Sequence, residues 1–170
     1  MEVFFDTEFT TLDLGKSLPE LISIGCVATN GQEFYAELSD TWQINNCSQF
    51  VTDSVLPLLE GGEYLMTQKQ CASSLKKWFE ELTNPLINLR SDAPDFDWPL
   101  IREIFETHNC WPNNLNRECQ GISFPSPIKQ QRFESALNTY WKSNRSRRHH
   151  ALNDARGLAK AWGIAVRRGF

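Results

Sequence analysis

The sequence predicts an α/β fold: a mixed sheet of three antiparallel strands and then parallel strands, flanked by helices. Three observations carry this. Two apolar segments joined by Thr29-Asn30-Gly31-Gln32 make a hairpin, because Asn-Gly is the hallmark dipeptide of a tight β-turn. After residue 67, helical and strand patterns alternate, as they do where strands run parallel. The length of 170 residues suits one domain over 1–170 with a full core and is too short for two large ones.

The elements follow in chain order. Val3–Phe5 is a short apolar strand, and 21–28 (Leu-Ile-Ser-Ile-Gly-Cys-Val-Ala) is a second. Glu33–Leu38 sets Phe34, Ala36 and Leu38 against Glu33, Tyr35 and Glu37, the period-2 pattern of a third strand. From Thr67 to Leu82, the residues Cys71, Ala72, Leu75, Trp78, Phe79 and Leu82 recur at the helical period, and Thr67 with Gln70 fits a capping box. Asn84-Pro85 breaks the chain. Leu86–Leu89 reads as a strand ending in Arg90-Ser91-Asp92. Trp98-Pro99 opens a helix with proline in its first turn and Leu100, Ile101, Ile104 and Phe105 on its buried face. Residues 109–130 are loop-rich, with one short strand at Gly121–Phe124. Phe133, Ala136, Leu137, Tyr140 and Trp141 mark a helix. A basic connector leads to the last helix, Ala151–Trp162, with Gly163 as its C-cap and a mobile tail from Arg167 to Phe170.

Composition narrows the function. Hydrophobic residues make up 41% and charged residues 22%, the balance of a globular chain rather than a disordered one. No stretch approaches the roughly 20 apolar residues of a membrane span. The opening Met-Glu-Val-Phe lacks the basic region of a secretory signal, so a cytoplasmic protein is expected. Five cysteines, an odd number with no CxxC pair, argue against a disulfide framework and against structural zinc. Cys26 and Cys71 fall in apolar patterns and are expected as core thiols. The net charge of −4 excludes gripping a long nucleic acid by bulk electrostatics. Any nucleic acid must be held locally, by metals and a small basic patch.

Chemistry is concentrated in the acids. Phe4-Phe5-Asp6-Thr7-Glu8 ends an apolar strand in two carboxylates at i, i+2, which point to one face. Such a pair is costly unless a cation lies between them, and hard divalent cations prefer carboxylate oxygens. Asp92, Asp95 and Asp97 crowd the turn between a strand and a helix, and Asp154 lies near the start of the last helix. In α/β sheets such positions converge at one end. Asp92 and Asp95 also suit a turn and a helix cap, for which Asp is favoured. Lys142, Arg145, Arg147 and Arg148 form a basic run before His149. It reads either as a solvated loop or as a phosphate clamp, since arginine forks match phosphate oxygens. Phe9 either packs in the core or stacks on a terminal base. Trp78, Trp98, Trp141 and Trp162 lie at helical core spacings.

Phe5-Asp6-Thr7-Glu8-Phe9, then Phe96-Asp97, then His149-x4-Asp154 resembles the DEDDh exonucleases of the ribonuclease H-like superfamily, over nearly the whole chain. Within that family the chain looks most like small stand-alone bacterial and phage exoribonucleases. The likeness rests on Asp6-Thr7-Glu8-Phe9 with 21–25 (Leu-Ile-Ser-Ile-Gly), Asn30-Gly31-x-Glu33-Phe34-Tyr35-Ala36 and His149-His150-Ala151-Leu152-x-Asp154-Ala155-Arg156. The resemblance implies a ribonuclease H-like fold and a 3′–5′ exonuclease using two Mg²⁺ or Mn²⁺ ions on single-stranded nucleic acid, RNA favoured. In that mechanism two ions roughly 3.5–4 Å apart activate water and stabilise the leaving oxygen.

By the same resemblance Asp6 lies between the ions, Glu8 and Asp154 hold the nucleophile-side metal, and Asp97 holds the second through water. His149 takes the proton from the attacking water, a task its ordinary pKa near 6.5 suits. Helical spacing alone would make His150 the i, i+4 partner of Asp154; the family pattern, with the base five residues before the acid, selects His149. The segment Ser91–Asp97 departs from the common pattern, so Asp92 stays an alternative ligand or substrate contact. Thr7, Phe9, Arg145 and Arg148 are the candidate substrate-binding residues. Two rivals remain: a single-stranded DNA exonuclease with the same machinery, and a non-catalytic nucleic-acid-binding module, against which the intact set of four acids and a histidine argues. A homodimer is also expected, because Trp111, Ile122 and Phe124 offer apolar surface that one domain need not bury.

Overall fold

The computed structural model describes residues 1–13, 18–83 and 85–167. A six-stranded sheet is built from β1 (Glu2–Phe9), β2 (Leu21–Ala28), β3 (Glu33–Leu38), β4 (Leu65–Met66), β5 (Ile87–Ser91) and β6 (Leu115–Gly121). The helices are α1 (Gln49–Ser54), α2 (Gln68–Glu81), α3 (Pro94–Thr107), α4 (Pro127–Ser143) and α5 (Ala151–Val166). The strand order is β4-β3-β2-β1-β5-β6. β1, β2 and β3 pair antiparallel, as the hairpin signal predicts, and β5 and β6 continue parallel to β1.

Alternation along β1 assigns its two faces. Val3 and Phe5 pack with Cys71, Leu75 and Phe79 of α2 and with Ile101 and Phe105 of α3. Phe4 points the other way, into Phe133 and Leu137 of α4 and Leu158 and Ala161 of α5. Asp6 and Glu8, in step with Phe4, therefore belong to the α5 side. Each fully buried Phe or Leu contributes roughly 1.5–3 kcal/mol, so the strand carrying the acids is held from both faces. Cys26 and Cys71 are buried free thiols, as expected. The Thr67–Gln70 capping box at α2 is also present.

Several boundaries differ from the sequence reading. Helix α3 begins at Pro94, not at Trp98: Pro94 fills the first helical turn, and the Asp97 amide already donates to the Ala93 carbonyl at 3.1 Å. The last parallel strand is Leu115–Gly121 rather than 121–124. It is an edge strand with mostly exposed polar residues, so it shows no apolar alternation. α5 runs through Gly163 to Val166, and Arg167 is the capping residue; a single glycine weakens a helix without ending it. The connection between β3 and α2 has no period long enough to predict an element, yet it folds into α1, β4 and three short 3-10 turns. The expected break at Asn84 and the tail beyond Arg167 lie outside the described residues. Trp111 packs against Phe105 and Trp98, and Phe124 against Phe133 and Trp162. Ile122 joins the Phe124 cluster, so these three residues are partly buried against the core, while Ile128 is 64% exposed.

Candidate active site

The site forms where β1 and β5 end and α3 and α5 begin. β2 supplies a gap there. Gly25 is paired with Asp6 across β1 and β2, and a Cβ on it would collide with the backbone of Ala151 and Leu152. The first turn of α5 therefore lies directly on β2, which brings Asp154 beside β1. Asp154, Glu8 and His149 offer ligand atoms that all lie within 4.8 Å of one another. A second group, Asp6, Asp92 and Asp97, meets the same limit. Four of the five site residues named from the sequence are the acids of these two groups, and the fifth, His149, joins them. Asp92, the alternative ligand, stands with Asp6 and Asp97, while among the described residues neither group includes Asp95.

Each acid is held differently. Asp97 is 2% exposed and accepts from the Thr7 amide at 3.2 Å, the Thr7 hydroxyl at 2.5 Å and the Ser91 hydroxyl. Asp154 accepts from the His149 amide at 3.0 Å and from the Asn153 side chain at 3.3 Å. Burial pushes Asp97 up to about 6 against the pull of its Ser91 and Thr7 hydrogen bonds. Burial likewise raises Asp154 to about 6, with the His149 amide pulling back. Glu8 rises to about 8, from burial and then from the charges of Asp154 and Asp97. Asp6 is raised well above the carboxylate range by burial and by the charges of Asp97, Glu8 and Asp154. A cluster of acids that resists full ionisation is the donor chemistry of a hard divalent cation, whose charge reverses every one of these shifts.

The two histidines part company. His150 caps α5: its Nδ1 accepts from the Asn153 amide at 3.4 Å, so the proton sits on Nε2, which lies 3.2 Å from a Glu60 carboxylate oxygen. The His150 side chain is 2% exposed and stacks on Tyr35 at 4.5 Å. His149 is half-buried, has its backbone in the left-handed region (φ 70°), and sets its ring edge-on to Phe50 at 4.9 Å. Burial and the charge of Arg148 push its pKa below the ordinary value, so it is neutral at pH 7 and free to accept a proton.

These groups open into a cavity of about 620 Å³. Its other wall is apolar, with Phe9, Leu12, Phe50 and Phe96. The Phe9 and Phe96 rings lie nearly parallel (10°) with centroids 6.4 Å apart. Arg148 lines the cavity with its guanidinium 3.8 Å over the Trp141 ring, and among the described residues it forms no ion pair. Of the four candidate substrate contacts, Phe9 and Arg148 line the cavity. Thr7 also lines it, but both its donors go to Asp97. Arg145 is exposed on the 3-10 turn Arg145–Arg147, away from the cavity wall.

Sequence reasoning did not place Phe50, Phe96 or Trp141 at the site. Trp141 sits at a core spacing on α4, and α1 is too short for a period to expose Phe50. For Phe96 a signal exists: a large aromatic in the first turn of a helix, 40% exposed, has no core to enter.

The mixed sheet, three antiparallel strands followed by parallel ones and flanked by helices, is a ribonuclease H-like fold. No family model and no curated protein matches the chain. Among solved structures it is similar to the nuclease domain of 3′hExo, a DEDDh family member, bound to rAMP. That match has a TM-score of 0.55 at 14% identity and covers 94% of this chain and 88% of that one. It is also similar to E. coli Exonuclease I in complex with a dA16 oligonucleotide, with a TM-score of 0.57 at 15% identity. There 97% of this chain matches 40% of the other, so the chain spans less than half of that protein. The fold is thus the one these nucleases share.

Proposed function

We propose that this domain is a divalent-metal-dependent 3′–5′ exonuclease of single-stranded nucleic acid, with RNA the favoured substrate. The observation that carries the proposal is the convergence of Asp6, Glu8, Asp97, Asp154 and a neutral His149 on one cavity. Glu8 and Asp154 would hold one Mg²⁺ or Mn²⁺ ion and Asp6 and Asp97, with Asp92 beside them, the other. Bound there, such ions supply activation of water and stabilisation of the leaving oxygen.

The chain's own residues do the rest. His149, fixed by its amide bond to Asp154, takes the proton of the attacking water. Thr7 and Ser91 orient the Asp97 carboxylate. Arg148, flattened on Trp141, presents its fork to a phosphate oxygen. Phe9 and Phe96 offer faces for the terminal base, a sequence-tolerant contact. None of these contacts reads a 2′-hydroxyl, and the two similar structures hold a ribonucleotide and a deoxyoligonucleotide respectively. RNA preference therefore rests on the sequence resemblance. A purely binding module would have no use for a half-buried proton acceptor beside the acids.

Five free cysteines suit the reducing cytoplasm in which we place the enzyme, and no helix among the described residues is long and apolar enough to cross a membrane. Pairing of two copies would cover the parts of Trp111, Ile122 and Phe124 that stay exposed, since each is only partly buried against the core. A second copy would also supply further basic contacts, and a mass of 19.6 kDa by light scattering ends the idea.

The deciding experiment is degradation of 5′-labelled RNA and DNA oligonucleotides with and without Mg²⁺. Stepwise shortening that needs Mg²⁺ and is stopped by a blocked 3′ end is expected, faster on RNA. Circular RNA cut at comparable speed would make the protein an endonuclease, and no cleavage in Mg²⁺ or Mn²⁺ would leave a binding module.

A further inference from the structure

Glu60 lies outside the cavity, yet its contacts converge on the segment that carries His149. Its carboxylate pairs with Arg147 and lies 3.2 Å from Nε2 of buried His150. These two residues flank Arg148 and His149, the two cationic or basic groups that face the cavity. Glu60 is itself anchored. Its amide and that of Gly61 donate to the two oxygens of Glu37, at 2.6 and 2.9 Å. Glu37 is 2% exposed on β3 and also accepts from the Tyr35 hydroxyl at 2.8 Å. The turn that permits this needs Gly61 and Gly62, both at positive φ (65° and 58°). Tyr35 then closes the circuit by stacking on His150.

We propose that Glu60 is a positioning residue for His149: a latch that ties the 147–150 segment to β3 and holds His149 in its left-handed backbone conformation. The catalytic half of this inference rests on the reading of His149 as the base. The physical reason is local. A non-glycine residue at φ 70° persists only where its surroundings over-determine it. On the C-terminal side, Asp154 holds the His149 amide. On the N-terminal side, Asn153 holds the Arg147 carbonyl at 3.0 Å, while the Arg147 and His150 side chains are held from outside their own segment by Glu60. Without its carboxylate, the Arg147 guanidinium loses its acceptor and buried His150 loses the charge 3.2 Å from its Nε2, and the strained residue between them can relax away from Glu8 and Asp154.

The test compares wild type with Glu60→Ala and Glu60→Gln. Hydrogen exchange of the 149–150 amides, measured without metal or substrate, should quicken tenfold or more in Glu60→Ala. On an RNA oligonucleotide, kcat should fall about 10–100-fold, the usual cost of losing a supporting contact, with KM within about twofold. Glu60→Gln keeps an oxygen that accepts from Arg147 and lies beside His150, and should recover most of the kcat. In a His149→Ala background, Glu60→Ala should change kcat no further, because its effect passes through His149. Unchanged exchange at 149–150 overturns the latch. So does a kcat loss that persists at full size in the His149→Ala background, which would show a general loss of structure. Absence of any nuclease activity in wild type sinks the base reading instead, and the exchange measurement alone then decides whether Glu60 holds the segment.

Discussion

Replacing Asp6 by Asn should make the metal-free protein more stable and the metal-loaded protein less so. Asp6 has ligand atoms within 4.8 Å of those of Asp92 and Asp97. Two full charges at that distance repel by about 3.5 kcal/mol at an effective dielectric of about 20. Proton uptake caps the real cost. The rise of Asp97 to about 6 comes first from burial, so repulsion is only part of it. Removing one charge should recover about half of the Coulomb figure, roughly 1.5 kcal/mol. That is a rise in Tm of about 3–6 °C for a chain of this length.

The sign with pH follows from linkage. These carboxylates have folded pKa values above their unfolded ones, so the native state binds more protons than the unfolded state between about pH 4 and 8. The stability of the apoprotein therefore falls as pH rises through that window. The advantage of Asp6→Asn should be greatest at pH 8 in EDTA and shrink towards pH 5. Mg²⁺ at about 100 times its Kd should then stabilise wild type by roughly 2.7 kcal/mol per site, and the variant by much less. Thermal melts at pH 5 and 8, in EDTA and in Mg²⁺, give the whole pattern, and the rank order of the two proteins should invert at pH 8 when metal is added. A variant less stable than wild type in EDTA at pH 8, or an equal Mg²⁺ shift in both, would refute the idea that repulsion among these acids prepares a cation site. Full nuclease activity of Asp6→Asn in Mg²⁺ would refute the catalytic reading as well.

Two further substitutions test the frame around the acids. His149→Ala should lower turnover by roughly 10²–10⁴-fold with little effect on stability, whereas His150→Ala should cost about 1–3 kcal/mol by urea unfolding, through its cap and its buried ring, and a smaller share of turnover. The reverse ranking in activity would make His150 the base. Gly25→Ala should destabilise by about 1–3 kcal/mol or more, because the new methyl meets backbone rather than a movable side chain. It should also weaken Mg²⁺ binding measured by calorimetry, since α5 must lift and carry Asp154 with it; unchanged stability would show that α5 does not rest on β2 as described.

The parts of this molecule that were readable from its residues share a physical cause. β2 is buried along its whole length, and β3 and α2 set apolar residues against the same core, so their patterns are strong and their ends match. The acids were readable for the opposite reason: carboxylates at the end of an apolar strand break the rule that buried polar groups find partners, and that violation marks a site. What escaped lies where neither signal operates. β6 is an edge strand with little to bury, and α1 has only six residues, less than two helical turns. Pro99 drew the start of α3 away from Pro94, although the earlier start is what sets Asp97 four positions into the helix, within reach of Thr7 and Ser91. Glu60 shows the limit most plainly. It is a half-exposed acid after an irregular turn, with no period and no motif, and its neighbours Glu37, Arg147 and His150 are 23 to 90 residues away along the chain. The partners of such a residue exist only once β3, the 3-10 turns and the start of α5 have been brought together. The same holds for the pairing of Gly25 with Asp6, which turns an unremarkable glycine in an apolar strand into the seat on which Asp154 reaches the other acids.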